Sequence, residues 1–471
     1  MGKHFEASSN DENVIDFNTL KIRAWDFEDI FAKRPRFSIG DARAYLSILV
    51  DLNVIDHGAD YVTALDDALD HAEGVFRARG YSGVEDDFHA VYKRWLESDR
   101  SNLTADRLPR YNRPDRQKKE RTGLTIVSLF TGAYGLDLGF EEAGFDVTIA
   151  LDVSEDSYEN LRANRPRLPF IREDISKYST QDILREAGLG QGEVDVVTGG
   201  PPCQPFSTAG KRRGMNDPRS RALAEFIRVV REARPRAFVM EEVRGILSMR
   251  DSGGRPLWNT VLEMLEASGY RVTWGVLNAA DYGSPQVRER VIAVGIRSDL
   301  KTEPRLPSPT HSRKSPNSPW FSLAEALAGI TDHIGYTKLP PKYAELMKYV
   351  PPGGNWRQLP DGLKRDAMNR AYRSSGGRTG FYRRLAWFEP SPTLVTSPVM
   401  KATMMVHPWE DRPLSVREYL RIQGFPDDWK VAVGVQDAYR LFGEAVPVDL
   451  SRAIAETLRN ILLFRFSQYK F

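Results

Sequence analysis

The sequence predicts an α/β protein built on a doubly wound, mostly parallel sheet, flanked by a helical N-terminal domain and a long irregular insertion. Two observations carry the sheet. After Gly123, short β-branched runs alternate with amphipathic stretches, the texture of strands joined by crossover helices. In addition, glycines, acids and the only cysteine stand directly after those apolar runs, where doubly wound sheets gather their ligands.

The predicted strands are "TIVSLF", "DVTIAL", "VDVVTG", "RAFVME" and "RVTWGVL", with a short one at "FIRE". The helices between them are "LDLGFEEAG", "SEDSYENLRAN" and "SRALAEFIRVVREA". Upstream, "DARAYLSILVDLNVI" and "ALDDALDHAEGVF" have helical apolar spacing in an acidic setting. The basic, proline-interrupted "RLPRYNRPDRQKKER" then reads as a linker, so residues 1–122 form a helical domain plus its tether. The sheet domain spans 123–300, and the loop-rich insertion, with "EPRLPSPTHSRKSPNSP" and "RSSGGRTGFYRR", spans 301–409. Helical texture returns at "SVREYLRIQGF" and "VDLSRAIAETLRNILLF", so 410–471 is read as a segment returning to the sheet domain.

Composition excludes several classes. A single cysteine forms no internal disulfide, and no histidine stands at metal-ligand spacing, so no metal is expected. No apolar run reaches the roughly 18 residues that span a bilayer, and "MGKHFEASSNDE" has no signal-peptide core, which points to the cytoplasm. Glu6 stands where N-myristoylation requires Ser or Thr. The formal net charge of +2 leaves nucleic-acid partners open, because one basic face suffices for them.

Five strand ends hold the candidate chemistry. After the first, "TGAYGLDLGF" offers Gly132, Gly135 and Gly139 for a tight turn and close approach by a ligand, although the spacing is not GxGxxG. Twenty residues after Gly132 the second run ends in Asp152, placed to accept both hydroxyls of a ribose. Asp174, at the third end, either accepts from an adenine amino group or caps a helix. The fourth delivers Cys203 in "TGGPPCQPFS", where Pro201, Pro202 and Pro205 stiffen the backbone around the thiol, and the fifth ends in Glu241.

These residues resemble the cytosine-C5 DNA methyltransferases of bacterial restriction-modification systems. The likeness rests on "LFTGAYGLDLGFEEAGF", "GGPPCQPFSTAGKRRGMNDPRS", "MEEVRGIL", "GSPQVRERVIAVG", "RPLSVREYLRIQGFPDDW" and "FGEAVPVDLSRAIAETL", in that order. It implies a Rossmann-like S-adenosylmethionine-dependent methyltransferase fold. By resemblance, Cys203 adds to C6 of cytosine, Glu241 holds or protonates N3, Arg290 contacts O2 and Arg288 supports the pocket. Phe130, Gly132, Gly135, Asp152, Asp174, Ile175 and Pro202 line the S-adenosylmethionine site. Gln204, Ser207, Lys211, Arg212, Arg213 and Arg219 meet DNA on a mobile loop that closes over a flipped-out base.

The insertion falls at the place of the target-recognition domain, and "PPGGNWRQLP" and "SSGGRTGFYRR" supply candidate base readers. The implied partners are double-stranded DNA and a restriction endonuclease sharing its site without a stable complex, the chain acting as a monomer in the bacterial cytoplasm. Four positions depart from the family pattern: Ser128 for an acid, Tyr134 for a glycine, and Glu242 and Glu444 for asparagines. Tyr134, which favours negative φ, is expected to reshape or weaken the cofactor pocket. A carboxylate pair at Glu241 and Glu242 is expected to raise the pKa of one member. Two other readings stay open: the same chemistry on a transfer RNA, and a DNA-binding module without turnover.

Overall fold

The computed structural model describes residues 119–202 and 221–464, except 252, 314–317, 319, 328–329, 331–332, 351–352, 374–377, 387–388 and 409. The helical domain expected before residue 119 and the loop from Cys203 to Ser220 lie outside the described residues.

The sheet domain runs β1 (Thr125–Leu129), α1 (Gly135–Glu142), β2 (Asp146–Leu151), α2 (Glu155–Asn164), β3 (Phe170–Ile171), α3 (Thr180–Glu186) and β4 (Val196–Gly199). It continues through α4 (Arg221–Ala233), β5 (Ala237–Val243), α5 (Leu257–Ala267), β6 (Tyr270–Asn278), β7 (Gln286–Val287) and β8 (Glu289–Arg297). Seven strands form one sheet in the order β3-β2-β1-β4-β5-β8-β6. The first five are parallel, while β8 is antiparallel to both β5 and β6. The sequence pattern missed β8, because Glu289 and Arg290 interrupt the apolar run of "VRERVIAVG" at its start.

Burial explains the continuous apolar strands, which are covered on both faces. On one face Val127, Leu129, Val197, Phe238 and Met240 pack with Phe226 and Val230 of α4 and Val261 and Leu265 of α5. On the other, Ile126, Val196 and Val239 pack against Leu136 and Phe140 of α1 and against the distant C-terminal helix.

The 301–409 region contributes α6 (Leu323–Leu327), α7 (Pro341–Met347), α8 (Asp361–Met368) and β9 (Ser391–Pro392), the last paired with β7. Met347, Val350, Leu359, Met368, Tyr382, Met404 and Val406 give it an apolar cluster of its own. The chain then forms α9 (Val416–Gln423), α10 (Val435–Glu444) and α11 (Val448–Phe464). The segment leading into α11, and α11 itself, lie so close to α1 that no side chain fits between the backbones at two points. A Cβ on Gly135 would stand 2.3 Å from the Val446 carbonyl oxygen, and one on Gly139 would stand 2.5 Å from the Arg452 nitrogen. Thus the chemistry-bearing first turn is held in place by residues more than 300 positions downstream.

Candidate active site

The sheet order lays out the candidate residues in a line. Asp174 follows β3, Asp152 follows β2, the glycine turn follows β1, Gly200 and Pro202 follow β4, and Glu241 lies near the end of β5. All of them line one cavity of about 440 Å³, as do Phe130, Gly132, Gly135 and Ile175. That volume suits a cofactor-sized ligand, for which sites run from about 300 to 1,000 Å³.

The turn itself is strained. Phe130, Gly132 and Tyr134 have φ of 53°, 53° and 73°, so two residues with a Cβ sit in the left-handed region. Each such residue costs about 1–2 kcal/mol, and strain of this kind collects at functional sites. Asp152 holds the turn: its Oδ2 accepts from the Gly132 nitrogen at 2.8 Å and its Oδ1 from the Ser154 nitrogen at 2.8 Å. Burial pushes the Asp152 carboxyl up, and those backbone donors oppose the shift. Each oxygen keeps a second acceptor position for a ligand hydroxyl.

Asp174 does cap a helical turn, accepting from the Ser176 nitrogen and hydroxyl at 2.9 and 2.7 Å, and those donors hold its carboxyl below the usual range. The capping role and a place in the cavity wall therefore coexist.

At the far end, Glu241 and Arg290 form an ion pair with 2.6 Å between Oε1 and Nε. Strand register produces it: Arg290 sits opposite Val243, and Glu241 lies two residues along on the same face. The other Glu241 oxygen stands 2.8 Å from where a Cβ on Gly200 would be, so only glycine lets the carboxylate lie against the loop that carries Cys203.

Arg288 takes a different place. It is 1% exposed and absent from the cavity wall, donating to the Leu394 carbonyl at 3.2 Å and to Gln286 Oε1 at 3.4 Å. Gln286 in turn donates to Gln423 at 2.9 Å. Arg288 thus braces the insertion against α9 and reaches the pocket only through its neighbours.

A model of the C-5 cytosine-specific DNA methylase family matches residues 124–460. The chain belongs to this family. The methyltransferase is 40% identical over 346 residues to the Type II methyltransferase M.PspPI of Psychrobacter sp. (strain TA137), covering 72% of this chain and 79% of that one. It is 38% identical over 344 residues to the Type II methyltransferase M.Sau96I of Staphylococcus aureus, covering 72% and 76%. Its fold matches a crystal structure of a prophage-encoded DNA modification methyltransferase (E. coli) with a TM-score of 0.54 at 26% identity, covering 72% of this chain and all of that one.

Tyr134 of the methyltransferase departs from the sequence expectation. It adopts positive φ, and its side chain turns away from the cavity into the core. Its hydroxyl donates to Glu141 at 2.7 Å, its ring stacks on Trp429 at 6.2 Å, and the Arg165 guanidinium lies over both rings. These contacts, rather than the cofactor, receive the added bulk.

Glu242 projects to the opposite face of the methyltransferase's sheet from Glu241 and is 2% exposed, with Oε1 unpartnered. Burial, then the charge of Glu241, pushes its carboxyl up to about 9, so it is neutral at pH 7. The folded state therefore binds a proton that the unfolded chain has released, and stability falls as pH rises from about 4.5 to 9. Glu242→Gln is expected to raise stability at pH 8.5 by about 1.4 kcal/mol or more, with no gain near pH 4, as thermal unfolding at the two pH values will show.

The cavity of the methyltransferase also holds residues the sequence reading passed over. Asp137, Val153 and Arg440 are among them; Glu444, one of the departures from the family pattern, also lines the cavity and is exposed at the end of α10. For Asp137 a signal was present: an acid inside the apolar "GLDLGF" that fills α1. Cys203, Gln204, Ser207, Lys211, Arg212, Arg213 and Arg219 lie outside the described residues.

Among the "SSGGRTGFYRR" candidates, Arg384 is not free to read bases. It is 2% exposed, and its guanidinium donates to the carbonyls of Met347, Val350, His407 and Glu410. Arg357, in "PPGGNWRQLP", is exposed.

Proposed function

We propose that the enzyme transfers a methyl group from S-adenosylmethionine to C5 of a flipped-out cytosine in a short duplex DNA site, and that this mark shields host DNA from a restriction endonuclease of the same specificity. The observation that carries the reading is the convergence of Asp152, Gly200 and Glu241 on one cavity whose wall includes Pro202, the residue immediately before Cys203, with Arg290 paired to Glu241. S-adenosylmethionine supplies the methyl group. The wall fits it: Asp152 meets the ribose, Asp174 and Ile175 the adenine, and Phe130, Gly132, Gly135 and Pro202 complete the enclosure.

The chain's own groups prepare the base. The Cys203 thiolate donates an electron pair to C6, forming the S–C6 bond and moving the C5–C6 π electrons into an enamine whose C5 attacks the methyl group. Glu241 holds a proton at N3 while charge develops on the ring, and Arg290, held by Glu241, meets O2. Loss of the C5 proton then returns the electrons that break the S–C6 bond. Extrusion of the base costs about a few kcal/mol, offset by contacts of Gln204, Ser207, Lys211, Arg212, Arg213 and Arg219 with DNA. Residues 301–409 read the target, and 410–471 complete the catalytic domain through α10 and α11.

Bisulfite sequencing of a methylation-deficient bacterial genome after expression of the chain, with Cys203→Ser in parallel, tests the reading. Protection of cytosines in one recurring short motif is expected, and none in the variant. Duplex DNA with 5-fluorocytosine at that site should trap a denaturant-resistant adduct. A Cys203→Ser enzyme methylating at the normal rate overturns the nucleophile, and an unprotected genome overturns the substrate.

A further inference from the structure

Ser128 stands where the family resemblance places an acid, yet the structure puts a carboxylate against it. The Ser128 hydroxyl donates to Asp137 Oδ2 at 2.8 Å, and the Thr198 hydroxyl donates to Oδ1 at 3.1 Å. Asp137 is 1% exposed, and both Ser128 and Asp137 belong to the cavity wall. The negative charge has therefore moved from β1 to the first turn of α1.

Its place along the cavity follows from strand order. Strands β1 and β4 lie between β2, which Asp152 follows, and β5, which carries Glu241. A ligand whose ribose lies at Asp152 and whose reactive end points to Glu241 must pass Asp137.

The wall there is made for a cation. Eight carboxylates and two guanidiniums line the cavity, and both guanidiniums are engaged, Arg221 with Ser176 and Arg440 with Asp156 and Asp437. Around Asp137 itself, β1 and β4 offer hydroxyls, its own helix offers Glu141, the turn before that helix offers the Tyr134 phenol, and the other strand ends and α10 offer Asp152, Glu241 and Glu444. No lysine, arginine or histidine among the described residues donates to it. A buried carboxylate with only neutral donors is costly until a cation arrives.

We propose that Asp137 is the counter-charge for the cationic methionine end of S-adenosylmethionine, carried on α1 in place of an acid on β1. The proposal rests on the cofactor assignment above. Burial pushes the Asp137 carboxyl up to about 7, with the two hydroxyls opposing, so the cofactor and a proton compete for it. Protonation removes the counter-charge, and affinity falls as pH drops through 7.

Calorimetric titration of the full chain with S-adenosylmethionine and with S-adenosylhomocysteine, between about pH 6 and 8.5, reads this directly. Affinity for S-adenosylmethionine is expected to be about tenfold weaker at pH 6 than at pH 8. Asp137→Asn should weaken binding at pH 8 about tenfold and flatten the pH profile. Returning the charge to β1 in Ser128→Asp/Asp137→Asn should restore affinity to within about threefold.

A matching loss for S-adenosylhomocysteine places the contact at the α-ammonium, and a loss for S-adenosylmethionine alone places it at the sulfonium; both support the counter-charge. Undiminished binding by a folded Asp137→Asn protein, or a flat profile for the unaltered chain, overturns it. An unaltered chain that binds neither compound overturns the cofactor assignment instead.

Discussion

Glu241→Gln is expected to lower kcat by about two to four orders of magnitude, the usual contribution of a positioned proton donor or acceptor. The geometry sharpens this. Glutamine preserves shape against Gly200 but removes the negative charge that faces Arg290 at 2.6 Å. Arg290 is 8% exposed, so the variant leaves a buried guanidinium without its counter-ion and moves it from the position proposed to meet the base. Cofactor affinity should stay unchanged, because Asp152, after β2, and Asp137, on α1, lie away from β5. Single-turnover methylation beside calorimetric cofactor binding separates the two. A variant within threefold of normal turnover would show that Glu241 does not handle the proton.

Arg384→Met is expected to remove about 3–5 kcal/mol of stability from the insertion and to abolish site-specific methylation while sparing cofactor binding. The guanidinium satisfies the carbonyls of Val350 at 2.7 Å, Met347 at 2.9 Å, Glu410 at 2.9 Å and His407 at 3.1 Å, and it also pairs with Asp411. Methionine fills similar volume but leaves those oxygens buried without donors, at about 1–3 kcal/mol for each one that water does not reach. These carbonyls border the cluster of Met347, Val350, Leu359 and Tyr382, so loss of the bracket loosens the surface proposed to read DNA. Thermal unfolding, gel shift on target duplex and cofactor titration form the test. Unchanged unfolding with normal DNA affinity would assign Arg384 no bracing role.

Much of the sheet was legible because its strands are buried on both faces. "TIVSL" and "VVTG" have no solvent side to satisfy, so they read as unbroken apolar runs with chemistry just beyond them. Strand β8 was not, since its first two residues are charged, Glu289 pairing with Arg244 in the exposed region and Arg290 with Glu241, and they spoil the period. Cys203, Glu241 and Asp152 announced themselves as reactive types at strand ends. Asp137 gave a weaker signal, an acid inside an apolar helix turn, which gains meaning only once Ser128 and Thr198 are brought to either side of it.

The sequence by itself determined the doubly wound class, the position of the glycine turn and the membership in a cytosine-methylating family, because those depend on local pattern and on contiguous motifs. Only the tertiary structure decided what the departures from that pattern do. Tyr134 is absorbed by Trp429 and Arg165, which are 295 and 31 residues away, and Arg288 and Arg384 serve as braces rather than contacts. Burial and partnership arise from segments far apart in sequence, so a side chain's charge state and reach are set by neighbours that no local pattern names.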